Sequence, residues 1–267
     1  MLGANRYGKS DVRVVKVIRG DAVYKLRDLV VDVALEGDFD AAHVAGDNSG
    51  MLATDTMRNT VYALARTHPL DHLESFGRSL VERFAEAGPS VTRAHVRIAE
   101  HPWSRLTAHA FQRGSGGTRI ATVSGPDLHY EGAIEDLLVL RATGSGWAGF
   151  HREEYTTLPE TDDRILATVV TARWELSEEP PESTWAGVRD TILAAFGDHY
   201  SPSVQFTLHH MGRAVLDRFP QVERIHFALP NRHHLLYDLE RFGLDNPNVV
   251  FHSTTEPYGL IEGTVER

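Results

Sequence analysis

The two halves of this 267-residue chain give the same order of predicted elements, and this repetition constrains the fold more than any other feature. Apolar residues recur at period two in stretches typical of strands and at helical spacing in stretches typical of amphipathic helices. In the first half the predicted strands lie near residues 12–18, 29–35 and 94–98, and the helices carry apolar faces over 57–64 and 73–84.

The second half repeats this order, with strands near 134–142, 164–176, 225–229 and 248–251, and with helices over 185–196 and 204–215. Strands grouped with pairs of helices are typical of an antiparallel sheet that carries its helices on one face. The sequence therefore predicts an α+β fold of two tandem units, residues 1–130 and 131–267, each with a helix pair on one face of its sheet.

Composition excludes several classes of protein. There is no cysteine, so disulfides, thiolate metal sites, iron–sulfur clusters and a cysteine nucleophile are absent. The net charge of −10 argues against a nucleic-acid partner, because phosphate binding needs a basic surface. No apolar run approaches the roughly 18 residues of a membrane helix, and the first residues lack the apolar stretch of a signal peptide. We therefore expect a cytoplasmic protein with no membrane partner.

Motifs for common cofactors are incomplete. The glycine-rich segments 114–117 and 144–149 match neither a dinucleotide fingerprint nor a P-loop, so we interpret them as turns. The histidine pairs 209–210 and 233–234 point their side chains in different directions on any regular element, which makes each a poor chelate. No nucleophile elbow of the type G-x-S-x-G occurs. The sequence predicts no metal site and no cofactor.

Two helix starts and one arginine are candidate binding groups. Thr54 and Asp55 stand where the N-cap of a helix is expected. Ser203 precedes another helix and places free N–H groups and the amide of Gln205 at an end that favours anions. Arg164 opens an apolar strand, where a guanidinium could hold a planar, oxygen-rich ligand through two parallel hydrogen bonds.

Lysine is rare, since only three of the 27 basic residues are lysine. Arginine does not lose its proton readily, whereas a buried lysine can, so each lysine is a candidate for proton transfer. We interpret Lys16 and Lys25 as exposed strand residues and keep Lys9 as the candidate.

Several short segments, in order along almost the whole chain, resemble the urate oxidase (uricase) family. The segments are Tyr7-Gly8-Lys9, Ala53-Thr54-Asp55-Thr56 with Asn59-Thr60-Val61-Tyr62, Tyr155-Thr156-Thr157-Leu158 through Asp163-Arg164-Ile165-Leu166, Ser203-Val204-Gln205, Leu229-Pro230-Asn231 with His233, and Pro257-Tyr258-Gly259.

The resemblance implies a tunnelling fold, in which two α+β units per chain join those of other subunits to close a β-barrel. It implies a homotetramer that encloses a tunnel, with active sites at subunit interfaces. The implied reaction is the oxidation of urate by O2 to 5-hydroxyisourate and hydrogen peroxide, with no metal or organic cofactor.

The resemblance also implies roles for individual residues. The implied proton relay consists of Lys9, Thr54 and His233. The implied urate-binding groups are Arg164, Gln205 and the backbone of Val204 on the edge of the ring, Trp147 on its face, and Thr54 and Asp55 from the neighbouring subunit. Asn231 is implied to hold O2 or water above the ring.

Some positions depart from the family pattern. Trp147 stands where the family usually has phenylalanine, and an indole also stacks but is wider. His234 follows His233 and is an alternative relay residue, although the L-P-N-x-H spacing favours His233. The chain ends Val265-Glu266-Arg267 without a peroxisomal tripeptide, which favours a bacterial, cytoplasmic enzyme.

Two other functions stay open at this point. The first is a pterin or GTP cyclohydrolase or aldolase of the same fold, but these typically anchor their ring with glutamate, and the cyclohydrolases use zinc. The second is a purine-binding protein without activity, against which the presence of Lys9, Thr54 and His233 counts.

Overall fold

The predicted strands and helices are present, and most strands are longer than the sequence pattern indicated. The computed structural model describes residues 3–267. Within that range ten strands occur, namely β1 (Arg6–Ile18), β2 (Lys25–Gly37), β3 (Val91–Glu100), β4 (Trp103–Arg105), β5 (Phe111–Arg113), β6 (Thr118–Gly125), β7 (His129–Arg141), β8 (Leu166–Leu176), β9 (Val222–Leu236) and β10 (Phe251–Glu266). The α-helices are α1 (Thr54–Thr67), α2 (Leu73–Ala85), α3 (Thr184–Gly197) and α4 (Val204–Arg218).

One predicted boundary was wrong, and one strand pair was not predicted. The last strand was expected at 248–251, but β10 runs from Phe251 to Glu266 and pairs along β9. The unpredicted pair joins Phe111–Arg113 to Trp103–Arg105. In both cases polar and apolar residues do not alternate, so the partner strand rather than the local pattern defines the element.

The chain divides into two compact units. Unit 1 extends to Ala133 and includes Trp174–Trp185, and unit 2 comprises Ile134–Arg173 and Ala186–Arg267. The predicted repeat boundary between residues 130 and 131 stays a prediction.

In unit 1 the strands pair in the order β1-β2-β3-β6, and the pairs are antiparallel. Alternate residues of β2, such as Val31, Val33 and Leu35, are buried, and α2 buries Phe76 and Leu80 on the face that packs against β3 and β6. Each such side chain contributes about 1.5–3 kcal/mol when fully buried. This packing explains the strong helical and period-two patterns of the first half.

Lys16 has a structural role that the sequence analysis did not give it. Its ammonium donates to the carbonyl oxygens of Ala65 (2.9 Å) and His68 (2.6 Å) at the end of α1. The last carbonyls of a helix lack partners within the helix and carry partial negative charge. The interpretation of Lys16 as a merely exposed strand residue was therefore wrong, because it caps α1.

In unit 2 the strand order is β7-β8-β9-β10, and α4 packs on β9 and β10. The buried faces are those that the sequence pattern indicated, with Met211 and Val215 on α4 and Ile225, Phe227 and Leu229 on β9. Among residues 3–267, no helix combines the length and the apolar character needed to cross a membrane.

Candidate active site

Lys9 lies in unit 1 at an irregularity of the first strand pair. It pairs with Val33, whereas the next paired residue, Val12, faces Val31, so β1 contains one extra residue here. Asp11 in this bulge has a φ of 58° and its N–H donates to Asp32 Oδ1 at 2.8 Å. Bulges of this kind re-aim neighbouring side chains and often occur beside active sites.

The ammonium of Lys9 is half-buried and has no hydrogen-bond or ion-pair partner among residues 3–267. The preceding residue must be glycine, because a Cβ at Gly8 would collide with the carbonyl oxygen of Val33. The strands β1 and β2 are therefore closely packed up to Lys9, and the ammonium of Lys9 is available to contact a ligand.

Thr54 is held near this strand by a hydrogen bond that the sequence analysis missed. The phenol oxygen of Tyr7 accepts from the N–H of Leu52 at 2.9 Å, which ties the start of α1 to β1. Burial raises the pKa of Tyr7, more than the bond from Leu52 lowers it, so the phenol stays protonated. Tyr7 lies two residues before Lys9, and Leu52 lies two residues before Thr54. Unit 1 therefore brings these two predicted site residues to one region.

The expected capping role of Thr54 and Asp55 was wrong. Ala53 is the N-cap of α1 and makes no side-chain cap, and Thr54 and Asp55 are the first two helical residues. The carboxylate of Asp55 instead accepts from Asn59 (3.0 Å) and pairs with Arg58 (2.7 Å) one turn along. The hydroxyl of Thr54 has no partner among the described residues, so it remains free for a ligand.

In unit 2 three separate segments meet, and we call residues 144–147, 161–164 and 200–205 the clamp segments. Trp147 and Thr161 exchange two backbone hydrogen bonds of 2.7 and 3.0 Å, and Gly146 donates to Ser201 at 2.8 Å. The N–H of Arg164 donates to the carbonyl of Ser145 at 2.7 Å. These bonds bring Trp147, Arg164 and the start of α4 together, although they are distant in the sequence.

Arg164 supplies the main charge of the clamp segments. Its side chain is half-buried, and its Nε is shielded from solvent without a hydrogen-bond partner among residues 3–267. Burial lowers the pKa of Arg164 from its usual value, because removing water disfavours the cation. The guanidinium of arginine nevertheless keeps its charge in proteins. A shielded cation without an acceptor favours an anionic ligand.

Trp147 lies beside this cation. The Arg164 guanidinium carbon is 5.9 Å from the centre of the indole ring. The ring also stacks on Phe150, with centres 5.7 Å apart and planes inclined by 13°. Phe150 was not among the predicted site residues, although it follows Trp147 in a W-x-x-F pattern. Trp147 therefore presents a supported aromatic face next to a cation.

The start of α4 lies where the sequence predicted it. Ser203 is the N-cap, and its hydroxyl accepts from the N–H of Phe206 at 3.1 Å. Val204 and Gln205 are the first two helical residues, with Val204 buried and Gln205 exposed. The first N–H groups of a helix have no partner within it, so the backbone of Val204 and the amide of Gln205 are both suited to bind a ligand edge.

Asn231 and His233 lie two residues apart on β9 and so point to the same face of the strand. Asn231 is only 9% exposed. Opposite them β10 is irregular, because Gly259 pairs with Asn231 while Thr254 pairs with His233. His234 faces the other way, and its Nδ1 lies 3.1 Å from the carbonyl of Arg232. This geometry favours His233 over His234 as the partner of Asn231.

Unit 2 therefore brings a shielded cation, an aromatic face and a helix N-terminus into one cluster. Guanidinium and N–H groups bind the oxygen-rich edge of an anion, and an indole binds a flat ring. The protein is therefore of the α+β class, and the chemistry of these groups suits a flat, oxygen-rich anion.

Comparison with known proteins agrees with this class. The sequence profile of the family described as Uricase matches residues 5–126 and 130–262. A uricase from Arthrobacter globiformis is 45% identical over 273 residues, covering 100% of this chain and 90% of that protein. A uricase from Dictyostelium discoideum is 38% identical, covering 98% of this chain and 96% of that protein.

The same result comes from solved structures. The crystal structure of the uricase from Arthrobacter globiformis matches with a TM-score of 0.97 at 44% identity, covering 100% of this chain and 95% of that one. The chain belongs to the uricase family. The predicted resemblance and the predicted α+β tunnelling fold are both confirmed.

Proposed function

We propose that this protein is a urate oxidase that converts urate, O2 and water to 5-hydroxyisourate and hydrogen peroxide. Urate loses two electrons and two protons in this reaction, and O2 gains both. The observation that carries the proposal is Arg164, whose shielded Nε lacks an acceptor among the described residues while its guanidinium lies beside Trp147. Urate is planar and anionic, so it matches both groups.

The binding groups act on different parts of urate. Arg164 and Gln205, with the backbone N–H of Val204, hold its oxygen-rich edge, and Trp147 stacks on its face. Thr54 and Asp55 approach from a neighbouring subunit. The family membership supports these roles, and the contacts within each unit are consistent with them.

The remaining residues move protons and position O2. Lys9, Thr54 and His233 form a relay that removes a proton from urate and delivers protons to the reduced oxygen. Asn231 holds O2 or water above the ring. An electron-rich urate anion transfers electrons to O2 without a metal, so the protein needs mainly to deprotonate it and hold the two reactants together.

We also propose the assembly and location implied by the family resemblance. Chains form a homotetramer whose sheets close a β-barrel tunnel, and each active site combines residues from neighbouring subunits. The cytoplasmic location stays a prediction that fractionation of the native host and immunodetection test.

A substrate panel tests the proposed function. Purified protein is mixed separately with urate, xanthine, GTP and a reduced pterin, and each absorbance spectrum is followed. We expect only the urate band to disappear. Consumption of GTP or the pterin with urate untouched would assign the protein to another enzyme class of the same fold.

Arg164→Ala should weaken urate binding more than it lowers the maximal rate. A hydrogen bond from a charged group contributes about 1.5–3 kcal/mol, which predicts a KM raised at least about tenfold. Arg164→Lys should recover only part of the loss, because lysine keeps the charge but not the two-pronged geometry. Arg213→Ala is the matched control, since the side chain of Arg213 is 43% accessible and pairs with Asp217 on α4. An unchanged KM in Arg164→Ala would remove this residue from the binding site.

Trp147→Phe should stay active, and Trp147→Ala should bind urate more weakly. Stacking of a base on an aromatic side chain is worth about 1–3 kcal/mol. The measurement is quenching of tryptophan fluorescence by a non-reactive urate analogue, which should disappear in Trp147→Phe and persist in Trp103→Phe. Quenching that survives in Trp147→Phe would place the stacking role elsewhere.

The reaction should need no metal or organic cofactor. Protein stripped with a chelator and checked by metal analysis should keep its full rate with urate. Loss of activity that copper, iron or zinc restores would contradict this part of the proposal.

A further inference from the structure

Three metal-ligating side chains meet outside the clamp segments, where α3 ends and α4 passes. Asp198 and His199 follow α3, and His210 lies on α4. The Oδ1 atom of Asp198 is 2.9 Å from His210 Nε2 and 3.5 Å from His199 Nδ1. One ligand atom from each residue lies within 4.8 Å of the others. We propose that this cluster binds a divalent transition-metal ion of the zinc class.

The spacing of the three atoms suits such an ion. A tetrahedral zinc ion with bonds of about 2.0–2.2 Å holds its ligand atoms about 3.3–3.5 Å apart. The distance of 3.5 Å between Asp198 and His199 matches this value, whereas the distance of 2.9 Å between Asp198 and His210 would widen by about 0.5 Å through side-chain rotation. Two imidazoles and one carboxylate favour zinc, cobalt or nickel over magnesium or calcium. The exposed side of Asp198, whose side chain is 60% accessible, leaves room for water as a fourth ligand.

The surroundings of His199 provide a second, independent argument. Its Nε2 lies 2.9 Å from the hydroxyl of Thr207, which donates to the hydroxyl of Ser201 at 2.8 Å. The Ser201 hydroxyl in turn donates to the carbonyl of Ser203 at 3.1 Å. Each hydroxyl has one proton to donate, so Nε2 of His199 must donate its own proton to Thr207.

A proton on Nε2 leaves the lone pair of the neutral ring on Nδ1. This atom lies 2.9 Å from the carbonyl oxygen of Ala195 and 3.5 Å from the carboxylate of Asp198. A lone pair facing two oxygens is favourable only when a cation lies against it, and either a second ring proton or a metal ion supplies that cation. The donation of the other ring N–H to an oxygen is also the usual support of a metal-bound histidine.

No local sequence pattern indicates this cluster. His199 follows α3 and His210 lies on α4, 11 positions along the chain, and the fold brings their ring centres to 4.4 Å. The proposed ion is not a participant in urate oxidation, and the proposal does not depend on the proposed reaction. The proposed ion would link the end of α3 to α4. The chain of hydrogen bonds that starts at His199 reaches Ser203, the N-cap of α4.

The test uses tag-free, chelator-stripped protein titrated calorimetrically with Zn²⁺. We expect one ion per chain and a higher unfolding temperature with Zn²⁺ present, because a ligand that binds the folded state stabilises it. Co²⁺ in place of Zn²⁺ should give the visible absorption bands of tetrahedral coordination. Asp198→Asn and His210→Ala should each weaken binding at least tenfold.

His209→Ala is the matched control, because His209 is an exposed neighbour on the same helix and lies outside the cluster. It should bind Zn²⁺ like the wild type. Equal weakening in His209→Ala and His210→Ala, or absence of binding in the wild type, would overturn the proposal. Unfolding temperatures of the metal-free variants check that each is folded, and Asp198→Asn changes only an exposed side chain.

Discussion

Lys9→Met should lower the maximal rate of urate oxidation by about 10²–10⁴-fold, the range attributed to a positioned acid or base. Lys9 follows the closely packed Gly8. Its half-buried ammonium has no hydrogen-bond or ion-pair partner among the described residues. Its proposed role is proton transfer, whereas Arg164 and Gln205 bind urate. The affinity for a non-reactive urate analogue should therefore change little.

Two further variants make this result specific. Lys9→Arg should be as slow as Lys9→Met, because arginine keeps the positive charge but does not give up its proton. Lys25→Met should match the wild type, since Lys25 is an exposed residue at the start of β2. Comparable rates for the wild type and Lys9→Met at saturating urate would remove this lysine from the mechanism.

Co-expression of two inactive variants, Lys9→Met and His233→Ala, should restore activity at about a quarter of the active sites. We expect Lys9 and Thr54 of one chain to complete a site with His233 of its neighbour. In a two-fold pair of Lys9→Met and His233→Ala chains, one site carries both defects and the other carries neither. Random assortment leaves about one site in four intact. The chain that supplies Lys9 and the chain that supplies His233 must each carry the unchanged residue, and each does so with a chance of about one half.

A second mixture provides the control. Lys9→Met combined with Thr54→Ala should restore nothing, because both changes lie in unit 1 and every site receives one of them. Mixed oligomers are verified by native mass spectrometry. If verified mixtures of Lys9→Met and His233→Ala chains stay inactive, each site is contained in a single chain and the shared-site proposal is wrong.

Local patterns predicted most of the fold because packing and local preference agree there. The apolar stripe of α2 and the alternation in β2 each follow from burial of one face, so period alone identified them. The start of α4 was predicted from Ser203, a capping residue that makes its expected hydrogen bond. The start of α1 misled the sequence analysis, since Thr54 is a good capping residue but Ala53 occupies that position.

Features that depend on distant segments were not predictable in this way. The clamp segments are joined by backbone hydrogen bonds between residues 14 to 57 positions apart, which no local pattern records. Tyr7 and Lys16 each bond to backbone groups more than 40 residues away. The shielding of Arg164 likewise depends on what packs around it. The resemblance to a family, rather than periodicity, suggested which of these residues share a site.

The most direct test follows urate, O2 and hydrogen peroxide together in one closed reaction vessel with purified wild-type protein. Absorbance reports urate, an electrode reports O2, and a calibrated dye assay on quenched samples reports peroxide. For a urate oxidase, one O2 should disappear and one peroxide should appear for each urate consumed. Urate that persists with folded protein and saturating O2, or that disappears without uptake of O2, would contradict it.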